Sequence, residues 1–188
     1  DWSSDVCSSD LAEGVERLAR QLYGEAFAPG DTSALASRDR IIHVTAIEGA
    51  SRRALRIDEH TPKSAADTFA LNLARARAHA IVITGKLLRD EPMLSYAPGA
   101  PGPLTEAFSA YRRQLGHRAR PCLVVLTRGA GLPYTHPVFH DGHTLPLVVA
   151  PTASASALRG EAPCEVLDGG DEVSLPALVT ALRARDAH

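Results

Sequence analysis

The chain is short of the features that mark several large protein classes. It has only three cysteines, Cys7, Cys122 and Cys164, and they are scattered. Such spacing gives no disulfide framework, so the expected compartment is the reducing cytoplasm. No apolar run approaches the roughly 18 residues that a membrane-spanning helix needs. The first residues are polar and acidic rather than basic and then apolar, so no secretory leader is expected. The formal net charge is only -2, from 20 Lys and Arg against 22 Asp and Glu. That balance makes no electrostatic case for nucleic acid or an anionic membrane as a partner. There is no G-x-G-x-x-G phosphate loop and no internal repeat. What remains is 188 residues, 45% hydrophobic and 22% charged, the composition of one globular domain with a real core.

Residues 1–11, Asp1-Trp2-Ser3-Ser4-Asp5-Val6-Cys7-Ser8-Ser9-Asp10-Leu11, show no apolar periodicity. They resemble a translated sequencing adapter and are expected to be a non-native tail outside the fold. One domain then covers residues 12–188. Leu11, Val15, Leu18 and Leu22 have helical spacing. Ile41–Ile47, Ala80–Thr84, Cys122–Leu126, Leu145–Ala150 and Cys164–Leu167 read as strands. Between them, Ser64 caps a helix lined by Phe69, Leu73 and Ala76. Leu104–Leu115 is a further helix, with Gly116 placed to end it. Thr152–Leu158 is a short helix, and Ser174 caps a last one carrying Leu175, Leu178, Val179 and Leu182. Apolar strands alternating with helices predict an α/β fold with a mostly parallel sheet covered on both faces.

In such sheets ligands bind outside the carboxyl ends of the strands. Two predicted strands end suggestively. One runs into Ala46-Ile47-Glu48-Gly49. The other runs into Thr84-Gly85-Lys86-Leu87-Leu88 and then an acidic turn, Arg89-Asp90-Glu91-Pro92-Met93-Leu94. A small Thr84-Gly85 after a strand would let a ligand approach the backbone closely. Lys86 and Arg89 are placed to meet a phosphate.

The order of elements and these two strand ends resemble the reductase domain of the bacterial riboflavin-biosynthesis deaminase-reductases, which is built like dihydrofolate reductase. The match runs from about Arg40 to Asp186. Ile47, Gly49, Asp90, Glu91, Pro92 and Leu94 fit the family pattern. Ala46 stands where the family has Ser, Glu48 is one methylene longer than its Asp, and an expected Thr either falls on Leu87 or is supplied by Thr84. The resemblance implies an NADPH-dependent reductase of a phosphorylated ribosylamino-pyrimidine or a related small heterocycle, working as a homodimer. Ala46, Thr84, Gly85 and Lys86 would border the cofactor. Glu48, Gly49, Arg89, Asp90 and Leu94 would border substrate, with Asp90 orienting its hydroxyls as the catalytic residue. The family's Glu-Gly-Gly-Pro phosphate loop would follow the last residues here, so the domain is expected to be truncated at its C-terminus. The changes at Ala46 and Leu87 keep open a second reading, a non-catalytic nucleotide- or pterin-binding relative.

Three other groupings have plainer readings. His136, His140 and His143 share a loop with Pro137, Asp141 and Gly142, and no helix fixes two of them on one face, so no metal is expected. The family also tends to carry a His-Pro-x-Phe-like segment here. Arg112, Arg113, His117, Arg118 and Arg120 suit a helix C-terminus, where cations complement the dipole. Asp168-Gly169-Gly170 reads as a turn, because the acidic residues after it would repel a phosphate.

Overall fold

The computed structural model describes residues 8–24, 64–93, 95–100, 102, 104–129, 131–142, 145–160 and 163–184. The expected strand at Ile41–Ile47 lies outside them. Helix α1 spans Ser8–Tyr23, α2 Ala65–Arg77, α3 Gly85–Asp90, α4 Thr105–Gln114, α5 Thr152–Leu158 and α6 Leu175–Ala184. The strands are β1 Ala80–Thr84, β2 Cys122–Leu126, β3 Leu147–Ala150 and β4 Glu165–Asp168. All pair in parallel, in the order β1-β2-β3-β4. The protein is therefore α/β with a parallel sheet. No described helix is long and apolar enough to cross a membrane.

The sheet packs on both faces. Ile83, Val125, Val148 and Ala150 point into one cluster with Leu88 of α3 and Leu158 of α5. Val124, Leu147 and Val149 point into the other with Leu178 of α6. β3 is buried at all four positions, as its unbroken apolar run requires. β1 departs from the expected full burial: Val82 is 43% exposed among the described residues. β3 starts at Leu147, two residues later than expected. Pro146 has no N–H for the ladder, though its carbonyl still accepts from Glu165 N.

A third cluster joins α1, α2 and α4. α1 begins at Ser8, inside the segment expected to lie outside the fold, and Leu11 packs partly buried against the cluster. Ser and Asp suit a first helical turn, and Leu11 stands one turn before Val15. The buried face of α1 is also not the leucine stripe. Ala12, Val15 and Ala19 are buried, while Leu18 and Leu22 are 37% and 45% exposed. Small residues let α1 approach the large side chains of α4, Phe108 and Tyr111, and Phe108 meets Phe69 of α2 at 5.6 Å.

Helix ends follow the sequence closely. Ser64 Oγ accepts from Asp67 N, and Ser174 Oγ from Ala177 N. Gly116 takes a φ of 74° after α4, with its own N–H on Arg113 O and that of His117 on Arg112 O, a Schellman turn. Arg112 is 1% exposed. Its Nη1 donates to the carbonyls of Arg75, Ala76 and Ala78 at 3.2, 2.8 and 2.7 Å. Its Nε donates to Arg118 O at 2.8 Å. The expected cation at a helix C-terminus is thus real, but it closes α2 rather than its own helix. Burial pulls its guanidinium down to about 10, still charged at neutral pH.

Candidate functional site

At the carboxyl end of β1, the structure gathers Thr84, Gly85, Lys86, Arg89 and Asp90. Ala46, Glu48, Gly49 and Leu94 lie outside the described residues. The expected small-residue loop and acidic turn form a helix as far as Asp90. Thr84 is extended, and its Oγ1 accepts from Leu87 N at 3.3 Å, capping α3. Gly85 is the first helical residue. A Cβ added there would stand 2.9 Å from Leu132 Cδ2 and 3.5 Å from Thr127 Oγ1. The glycine makes room for Leu132, which replaces the backbone approach expected for a ligand. Leu87 is partly buried in the same apolar cluster.

Lys86 and Asp90 lie one turn apart and form an ion pair, with side chains 73% and 51% exposed. A pair so open contributes roughly 0.3–0.5 kcal/mol, so an arriving phosphate can take the lysine at little cost. Arg89 Nη1 donates to Gly131 O at 3.1 Å, tying α3 to the loop after β2.

The other strands also end on polar groups, which the sequence reading passed over. Thr127 follows β2, and its Oγ1 accepts from Gly129 N at 3.1 Å. Thr152 follows β3 and donates its hydroxyl to Asp168 Oδ1 at 2.7 Å. Asp168 ends β4 and also accepts from Gly170 N at 2.9 Å. The Gly170 N–H, then the Thr152 hydroxyl, hold the Asp168 carboxyl below its usual range. The signal was in the sequence: Thr84, Thr127, Thr152 and Asp168 each close or follow a strand. Their shared edge is visible only once the strands are aligned.

Two of the three loop histidines are spoken for by backbone. His136 is 2% exposed. Its Nδ1 accepts from Val138 N at 3.2 Å, so Nε2 carries the proton and donates to Glu91 O at 3.0 Å. His140 Nε2 lies 2.7 Å from Tyr134 O. His136 therefore fastens the 137–139 turn to the Glu91-Pro92 segment. His143 lies outside the described residues, among which no cluster of metal-ligating side chains occurs.

A cavity of about 120 Å³ opens at the opposite, amino end of the sheet. Ile81, Leu123 and Val138 give it apolar walls, Tyr96 also lines it, and Arg120 and Asp141 contribute polar groups. Arg120 and Asp141 pair at 2.9 Å, their side chains 34% and 37% exposed. Tyr96 is 6% exposed, and its hydroxyl has no hydrogen-bond partner among the described residues. Burial, reinforced by the nearby Glu91 charge, pushes that phenol up to about 12. No protein-family model matches this chain, and no curated protein matches it.

Proposed function

We propose that the protein is a dihydrofolate-reductase-like domain related to the riboflavin-biosynthesis reductases. In that reading it binds NADPH and a phosphorylated ribosylamino-pyrimidine, or a related heterocycle, across the carboxyl edge of its sheet. The observation that carries this reading is that edge itself. Exposed Thr84, Lys86, Arg89 and Asp90 stand together where β1 ends, in the place where open parallel sheets bind ligands. Bound NADPH would supply the hydride; the chain's part is to bind and orient.

The described residues fit the anionic part of such a ligand. Lys86 and Arg89 are exposed donors held by one weak pair and one backbone carbonyl. Asp90 is exposed and, once Lys86 turns to a phosphate, is left to accept from substrate hydroxyls. They do not fit the nicotinamide contact expected of Gly85, whose open side is filled by Leu132. The apolar Leu87 and the packed Gly85 favour the second reading, a nucleotide- or pterin-binding relative without turnover.

Titration of the chain with NADPH, beside NADPH oxidation with the ribosylamino-pyrimidine phosphate, separates the readings. Lys86→Ala removes a charged hydrogen bond of roughly 1.5–3 kcal/mol, so NADPH affinity falls about ten- to a hundred-fold. Asp90→Asn lowers kcat/KM by a similar factor and changes NADPH affinity far less. Tight NADPH binding without turnover supports the binding-only relative. No NADPH binding at all refutes both nucleotide readings.

A further inference from the structure

We infer that Arg128 is a third anion-binding residue of the carboxyl edge, and that with Lys86 and Arg89 it takes a diphosphate group of the kind that joins the two halves of a dinucleotide. The inference rests on the reading of this edge as a nucleotide site, and adds to it a residue and a ligand group.

The backbone around Arg128 is built to present that side chain. β1 and β2 end side by side, with Thr84 opposite Leu126. They stay neighbours one residue further, where a Cβ added at Gly85 would stand 3.6 Å from Thr127 Cβ. Thr127 N donates to Val149 O at 3.0 Å, which carries the β2–β3 ladder past the end of β2. Arg128 O accepts from the Ser154 hydroxyl at 2.9 Å, and Gly129 N donates to Thr127 Oγ1 at 3.1 Å. Gly129 has a φ of 103° and lies against Ser154, where an added Cβ would come within 2.3 Å of Ser154 Cβ. Only glycine fits there. Three successive residues are thus fixed through their backbone, while the Arg128 side chain is exposed. A fixed backbone lowers the entropy that the arginine loses on meeting a ligand.

Charge then decides what fits. Lys86 and Arg89 stand on α3 where β1 ends, and Arg128 stands where β2 ends. Adjacent strand ends are about 4.8 Å apart. Asp90 is the carboxylate beside them, and it already pairs with Lys86. Cations spread over two strand ends match two linked phosphoryl groups better than one. The far end of the same edge has the opposite sign. Asp168, Asp171 and Glu172, at and after β4, outnumber Arg159, whose charge acts on Asp168. A diphosphate is therefore held to the β1–β2 end.

Inorganic pyrophosphate and inorganic phosphate are the probes, titrated into the full chain at one low salt concentration and followed by amide shifts of the isotope-labelled protein. Pyrophosphate should bind saturably and about tenfold more tightly than phosphate, with shifts at Lys86, Thr127 and Gly129. Arg128→Ala should weaken pyrophosphate about ten- to a hundred-fold, the loss of one charged hydrogen bond, and Arg128→Lys should recover part of it. Arg128→Ala should melt with the parent, because its carbonyl still accepts from Ser154. Arg113→Ala removes an exposed arginine from the last turn of α4, near the amino end of β1, and should leave pyrophosphate within about twofold. The inference is overturned if the parent does not bind pyrophosphate, or binds phosphate equally well. It is also overturned if Arg128→Ala binds pyrophosphate like the parent, or if Arg113→Ala loses as much, which would mark a diffuse attraction. Pyrophosphate binding that depends on Arg128 in a chain that does not bind NADPH supports the inference and sinks the reductase reading.

Discussion

Acidification should destabilise this protein through one identifiable residue, His117. Its ring lies 4.1 Å from that of His79, just after the Schellman turn of α4 and close to the buried Arg112. Burial, then the His79 and Arg112 charges, push the imidazole down to about 4 from an ordinary 6.5. The unfolded chain therefore takes up this proton near pH 6.5, while the folded chain resists it until about pH 4. Between those values the unfolded state holds more protons, so stability is full above pH 6.5 and falls as the pH drops through that window. The shift corresponds to about 3.4 kcal/mol at most. The ring is only part-buried, and solvent screening reduces this to roughly 1–2 kcal/mol. Urea titrations at pH 7.5, 6.5, 5.5 and 4.5, on the parent and on His117→Gln, measure it. Histidines away from this pair contribute alike to both proteins and cancel in the difference, while His79, coupled to His117, makes the measured difference a property of the pair. Asp168 loses its hydrogen-bonded carboxylate only at lower pH. The parent should lose about 1–2 kcal/mol more than the variant on acidification to pH 4.5. Parallel stability curves for the two proteins would refute the assignment, as would a parent that gains stability in acid.

Arg112→Met should cost about 3–5 kcal/mol of unfolding free energy in denaturant titration, because it strands the carbonyls that close α2; Arg112→Lys should recover part of that loss by keeping a donor there. Deleting residues 1–7 should leave the melting temperature unchanged. Leu11→Asp should lower stability by about 1–3 kcal/mol by placing a charge against the α1–α2–α4 cluster, and a neutral effect would restore the view that Leu11 lies outside the fold.

Where side chains report on their own backbone, the sequence was legible. Ser64, Ser174 and Gly116 marked helix ends because capping is local, and β1 and β2 were readable to the residue as short apolar runs between polar ones. α3 was hidden: six residues are too few to show periodicity, and Gly85 and the later Pro92 suggested a loop. The i to i+4 spacing of Lys86 and Asp90 and the Thr84 cap were its only traces. Arg112 could be assigned to a helix end but not to which one, because backbone carbonyls have no sequence signature. The amino-end cavity needed residues from segments up to 65 positions apart, Ile81 to Pro146, and no local pattern announces that. At the carboxyl edge the residue types were visible, while Leu132's occupation of the space beside Gly85 was not.

The strand order carries a consequence for assembly. The three pairings join partners 42, 23 and 18 residues apart, as the registers of Ala80 with Cys122, Val124 with Leu147, and Leu147 with Glu165 give by subtraction. Loop closure favours the shortest of these over the longest by only about 0.7 kcal/mol, so entropy imposes little order on them. Topology imposes more. Each of β2, β3 and β4, as it leaves the ribosome, finds its earlier partner among the described strands already exposed at the growing edge. None has to insert between two strands that are already paired, so this part of the sheet can be laid down in the order in which it is translated.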